Sequence, residues 1–272
     1  MKTSRIKNIV IVILALVNAF LLVLLLGRQN QQRVAHERSV EQLSLLLANN
    51  GIAFDTSLLP GNVSYLAAEL SYDADAEAAF ARALLGDDAA VRSTGGGSSV
   101  YESECGSLRF RANGVIEGTP NLFVSNPIAL CEDIFRSCDY EMDDTAYAHA
   151  LAVSDSGSGT ISALRSVDGL SVFAAPLSLT FENNTLVAVS GSFLPSVTSV
   201  AGADGMDAIS ALVRFLDYRN SNGLVCTEIT ALTRGYLLQS SATSAKLSPA
   251  WHIATDVSEY YVNSATGEIT RG

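Results

Sequence analysis

Ile9 to Leu26 reads IVIVILALVNAFLLVLLL, eighteen residues in which Asn18 is the one polar side chain. Coiled as a helix at 1.5 Å per residue, such a run is roughly 27 Å long, close to the hydrocarbon thickness of a bilayer. The expectation is a single transmembrane helix over residues 8–27. Lys2, Arg5 and Lys7 precede it, while Arg28 and Arg33 follow. The basic excess on the short amino-terminal side predicts a cytoplasmic tail of residues 1–7, with everything after the helix outside. A cleaved signal peptide is the rival reading. Against it, the following GRQNQQRVAHER carries no small-x-small cleavage pattern, and the apolar run exceeds the usual signal core of about 7 to 15 residues. An uncleaved signal anchor is therefore expected.

Residues 28–272 hold all 28 acidic side chains against 14 of the 17 basic ones, a formal charge of −14. That disfavours nucleic acid and anionic membrane surfaces as partners. The length suits one large or two smaller domains, and two are expected: modules at 51–120 and 121–272 behind a juxtamembrane helix at 28–50. Cys105, Cys131, Cys138 and Cys226 would face a compartment where disulfides form, and four sites allow three pairings. Cys131 and Cys138 fall on one face of an expected helix, about 10.5 Å apart along its axis, beyond the reach of a bond between them. Small buried thiols are the favoured reading.

Residues 28–50 read as a helix, polar first and then apolar at Val40, Leu43, Leu46 and Leu47, with Gly51 placed just past its end. Val63 to Leu70 is strand or helix, with strand preferred. Asp73 caps the next helix, Ala76, Ala79, Phe80 and Ala83 recur at helical spacing, and Gly86 stops it. YESECGSLRFRANGVIEG then suggests hairpins turning at Cys105-Gly106 and Asn113-Gly114. Asn126-Pro127 opens another helix, with Cys131, Ile134, Phe135 and Cys138 as its buried face. Apolar and β-branched runs at Tyr147–Val153, Thr160–Val167, Leu170–Ala174, Leu177–Phe181 and Leu186–Ser190 have the spacing of an antiparallel meander. The order repeats: Asp204 is expected to cap a helix carrying Ile209, Leu212, Val213 and Leu216, followed by strands at Leu224–Thr230, Tyr236–Ser240, Ala250–Thr255 and Tyr260–Asn263. The expected fold class is α+β, one transmembrane helix followed by two helix-on-antiparallel-sheet modules.

No catalytic constellation is legible. His36, His149 and His252 lie in no metal-binding or catalytic spacing, and His252, between Trp251 and Ile253, is expected on the outer face of a strand. The serine clusters at Ser98-Ser99 and Ser154–Ser158 belong to no G-x-S-x-G or S-x-x-K motif, and the chain contains no C-x-x-C or H-E-x-x-H, no phosphate-binding glycine loop and no calcium loop. The acidic pairs Asp87-Asp88 and Asp143-Asp144 read as solvated loops. The expectation is a non-enzyme without metal or cofactor. What remains distinctive lies in the membrane segment, where Ala15 and Ala19 form a small-xxx-small pair and Asn18 and Leu22 occupy the adjacent strip. Small residues let helices approach closely, and an asparagine in hydrocarbon gains about 0.6 to 2 kcal/mol by bonding a neighbour. Ala15, Asn18, Ala19 and Leu22 are the expected partner-binding face.

Leu247 to Ile269, LSPAWHIATDVSEYYVNSATGEI, resembles the closing hairpin of PepSY-like domains: an aromatic-ended strand, a turn, a Tyr-Tyr-Val strand and an Asn-x-x-Thr-Gly-Glu turn. SRIKNIVIVILALVNAFLL and the later ANNGIAFD resemble the anchor region of the YycH/YycI proteins of Gram-positive bacteria. Val167 to Phe173, with the strands around Phe181 and Val189-Ser190-Gly191, is similar to the middle of the YycI branch. Four cysteines and an acidic, alanine-rich body depart from the lysine-rich members. The resemblance implies PepSY- or cystatin-like modules and a single-pass regulator of a WalK/YycG-type sensor histidine kinase governing cell-wall homeostasis, acting by protein–protein contact with a paired YycH-like protein among its partners. It carries over no catalytic residues. A tethered module that binds a peptide, protease or cell-wall fragment is the alternative expectation.

Overall fold

The computed structural model describes residues 34–60, 65–71, 73–93, 97–142, 157–203, 205–241 and 244–272. Two compact units partition the chain, one through Ser57 and one from Leu58 to Gly272. In the first, residues 34–49 form helix α1, with Leu43 and Leu47 buried. Its end is a Schellman motif: Gly51, at φ 74°, donates to Ala48 O and Ile52 donates to Leu47 O. A short strand β1, Ala53–Phe54, follows.

From residue 58 the strands join in one large mixed sheet with two sections. Its strands are β2 (Tyr65–Ser71), β3 (Ala90–Ser93), β4 (Ser98–Ser103), β5 (Gly106–Arg111), β6 (Val115–Pro120), β7 (Leu122–Phe123), β8 (Tyr140–Met142), β9 (Gly159–Val167), β10 (Leu170–Phe173), β11 (Leu177–Glu182), β12 (Thr185–Ser192), β13 (Ser196–Ala203), β14 (Glu228–Ser240), β15 (Ala245–Thr255), β16 (Glu259–Asn263) and β17 (Ile269–Arg271). Among the described residues three helices accompany them: α2 (Ala74–Leu85), α3 (Pro127–Ser137) and α4 (Ala208–Ser221).

The first section is antiparallel in the order β3-β4-β5-β6-β12-β11-β9-β8. Alternation along these strands turns Leu108, Phe110, Ile116, Leu177, Leu179 and Phe181 inward, where α2 and α3 cover them with Phe80, Leu84, Ile134 and Phe135 in a single core. In the second section β15 pairs β14 along one side, and β2 and then β16 along the other; β13 flanks β2 and β17 flanks β16. The link between the sections is the β9–β10 hairpin. β9 pairs β11 and β8 and then, at Ser166 and Val167, β10, which lies parallel to β14. Its turn, Asp168-Gly169, has φ values of 53° and 73°, and Asn183-Asn184 between β11 and β12 has 50° and 60°. Both are two-residue turns with positive φ at each centre, whose twist matches that of the strands.

This architecture corrects the expected fold class. The body is not a pair of helix-on-antiparallel-sheet modules of PepSY or cystatin type, because the sheet runs through the expected boundary at residue 120. β6 pairs β12, residues 115–118 against 189–192, and the helices expected to serve separate modules share one core. The parallel β10–β14 pair also makes the sheet mixed. The expected membrane helix, 8–27, lies outside the described residues, as does the run at Tyr147–Val153. Among the described residues no helix is long and apolar enough to cross a membrane.

Smaller readings also change. Asp207, rather than Asp204, caps α4 by accepting from Ser210 N, and Val213 is exposed while Ala211, Leu212, Phe215 and Leu216 are buried. The two short strands expected at 224–230 and 236–240 are one long strand, β14. Asp73 and Asn126 cap α2 and α3 as expected, and β2 is a strand.

Candidate functional site

Ala15, Asn18, Ala19 and Leu22, the expected partner-binding face, lie outside the described residues. Within the described body, a polar cleft of about 520 Å³ opens where α3 ends and β8 and β9 meet, lined by Arg136, Asp139, Tyr140, Glu141, Arg165 and Asp168. Arg165 is its centre. It stands on the inward face of β9, in line with Ile161, Ala163 and Val167, and its side chain is only 8% exposed.

Three groups hold that cation. Nη1 lies 3.0 Å from Asp139 Oδ2 and donates to the Cys138 carbonyl, while the guanidinium sits 5.9 Å over the Tyr140 ring. Cys138 is the C-cap of α3, so the charge meets the negative end of the helix dipole. Asp139 takes φ 54° to bring its carboxylate round, and its carbonyl accepts from Ser166 N. Arg165 Nε is buried without a hydrogen-bond partner. Because Asp139 is 77% exposed, water screens much of that ion pair.

Tyr140 fixes the other wall. Its buried hydroxyl donates to Ser192 O at 2.7 Å and accepts from Leu194 N at 2.8 Å, and burial pushes its pKa well above the phenolic norm. The cleft therefore offers two guanidiniums and three carboxylates around a rigid aromatic floor. It can ion-pair and hydrogen-bond a polar ligand. It places no nucleophile beside a base, and among the described residues no three His, Cys, Asp or Glu side chains converge as a metal site would require.

The histidines divide. His36 is exposed on α1, and His149 lies outside the described residues. His252 faces away from Trp251 and Ile253 as alternation requires, yet it is not solvated: its side chain is 18% exposed and packs against Phe173 and Tyr261, at ring separations of 5.4 and 5.2 Å. Thr233, its cross-strand partner on β14, places Oγ1 3.2 Å from Nδ1, and Glu259 Oε2 lies 3.4 Å from Nε2. Sequence reasoning missed this because Phe173 arrives from β10, two strands away in the sheet, across β14, and far away in the chain.

All four cysteines are free thiols. Cys131 and Cys226 are buried, and burial pushes the Cys131 thiol up to about 12. Cys105 and Cys138 are half-buried, so the expectation of buried thiols holds for two of the four.

The Tyr-Tyr-Val-Asn segment is a structural closure. Asn263 Oδ1 accepts from Ala265 N and Thr266 N, Gly267 at φ 71° donates to Asn263 O, and Arg214 Nε on α4 donates to Gly267 O. Trp251 Nε1 donates to Met206 O, tying β15 to the start of α4. No protein-family model matches the chain, and none of the curated proteins matches it.

Proposed function

We propose that the chain is a membrane-anchored, extracytoplasmic accessory protein that works by protein–protein contact rather than catalysis. Following the YycH/YycI resemblance, its partner is a sensor histidine kinase of the WalK/YycG type, with a paired YycH-like protein as a further partner. The observation that carries this reading is the anchor itself: a run of eighteen residues, seventeen of them apolar and interrupted by Asn18, with Ala15 and Ala19 one turn apart. A helix that only tethers has no need of a polar, small-residue strip, whereas one that packs on another membrane helix does. A bound partner biases a kinase only by contacting its states unequally, so the strip is where that difference is made. The test is Ala15→Leu with Asn18→Leu in the full chain. Insertion into membrane should persist while co-purification with the kinase and signalling output fall, and unchanged association would refute the reading.

The alternative, a tethered module for a peptide or cell-wall fragment, draws on the Arg165 cleft, whose paired charges suit a ligand with both charge signs. Arg136→Ala with Glu141→Ala would then abolish ligand-dependent output without touching anchor contacts.

A further inference from the structure

The two sections of the sheet are joined, among the described residues, by the backbone ladder through β10, whose register with β14 is only Val172 to Tyr236 and Phe173 to Leu237, and by Ser240 Oγ at the end of β14, which donates to Asn113 O in the β5–β6 turn. So short a pair is weak by itself, and side chains reinforce it. Phe173 crosses over Gly235, where an added Cβ would come within 2.5 Å of the ring and 2.3 Å of Ser171 O, and it closes a triangle with His252 and Tyr261. The His252 and Tyr261 rings are stacked at 26°, as are those of Phe173 and Tyr261.

We propose that His252 is an acid-sensitive clasp, holding the β9–β10 bridge onto the second section of the sheet while its imidazole is neutral and releasing it on protonation. The imidazole is 18% exposed and packs against the Phe173 and Tyr261 rings, so a proton added there loses much of its hydration. Glu259 is the charge that faces it, but that carboxylate is 57% exposed and its Oε2 also accepts from the Tyr261 hydroxyl at 3.2 Å. From β14 the facing groups are Thr233 and Gly235, with Arg234 on the opposite face beside Trp251; from β10 it is Phe173; from β16 they are Glu259 and Tyr261. Lys246 shares the face of β15 but stands six residues away, roughly 20 Å along the strand. Gly272 donates to Glu259 O and lies against Tyr261.

Burial outweighs Glu259 and lowers the His252 value below its ordinary 6.5, while the Tyr261 phenol, pushed up to about 12, stays protonated throughout. The unfolded or opened chain then binds the proton more readily than the closed one. The clasp's contribution is complete above about 6.5 and is lost as the pH falls below it, through the lower folded value.

Hydrogen exchange on the full chain in detergent, corrected for intrinsic pH effects, tests this. Protection of the β10 amides should drop several-fold between pH 7.5 and 5, more than that of the β14–β15 ladder. His252→Phe, which keeps a ring and cannot titrate, should abolish the drop, and Glu259→Gln should move it to lower pH. Imidazole titration of the unaltered protein by NMR reads the same event without a variant. A His252 that titrates above 6.5, or a drop that survives in His252→Phe, would overturn the proposal.

Discussion

At the scale of single residues, buried polar groups carry the sharpest consequences. Tyr140→Phe would leave the Leu194 amide and the Ser192 carbonyl without the hydroxyl that joins them, and should cost about 1 to 3 kcal/mol in denaturant unfolding. The thiols should divide by burial: a maleimide should label Cys105 and Cys138 in the folded protein, and Cys131 and Cys226 only on unfolding. Arg165 was legible in principle. It interrupts the apolar alternation Ile161, Ala163, Val167 on one face of β9, which marks a buried charge needing partners. Which partners was not legible, since Cys138 and Asp139 reach it only through the end of α3. For His252 the strand periodicity gave the correct face and the wrong environment, because exposure depends on what another strand lays over that face.

Among elements, local rules worked where local chemistry decides. Asp73 and Asn126 cap their helices, Gly51 ends α1, and the Asp-Gly and Asn-Asn pairs make tight turns, each for reasons contained within a few residues. Asp207→Ala should cost about 1 kcal/mol, since its carboxylate satisfies the Ser210 amide at the start of α4. The acidic Asp204 three residues earlier gave the misleading signal. Gly235→Ala should destabilise by about 1 to 3 kcal/mol, because a methyl there meets the Phe173 ring and the Ser171 carbonyl. Strands such as β3 and β13 escaped detection because Ser, Gly and Ala give them little apolar alternation, and their pairing supplies the order instead.

On the scale of the whole molecule, pairings distant in sequence decided what periodicity could not. Repeating helix-then-strands suggested two modules, but Ile116 pairs Gly191 and Val172 pairs Tyr236, contacts with no local signature. One shared core under α2 and α3 predicts that a chain begun at residue 121, lacking β2 to β6, does not fold, whereas residues 58–272 unfold in one transition by both circular dichroism and Trp251 fluorescence. For function, the reading rests on the membrane strip, and the exchange of residues 1–27 for an unrelated single-pass anchor of equal length addresses it most directly. The measurement is kinase output in cells carrying the exchanged chain, at matched membrane abundance and with the body folded. Loss of regulation is the predicted result, and full retention would contradict a role for the helix beyond tethering.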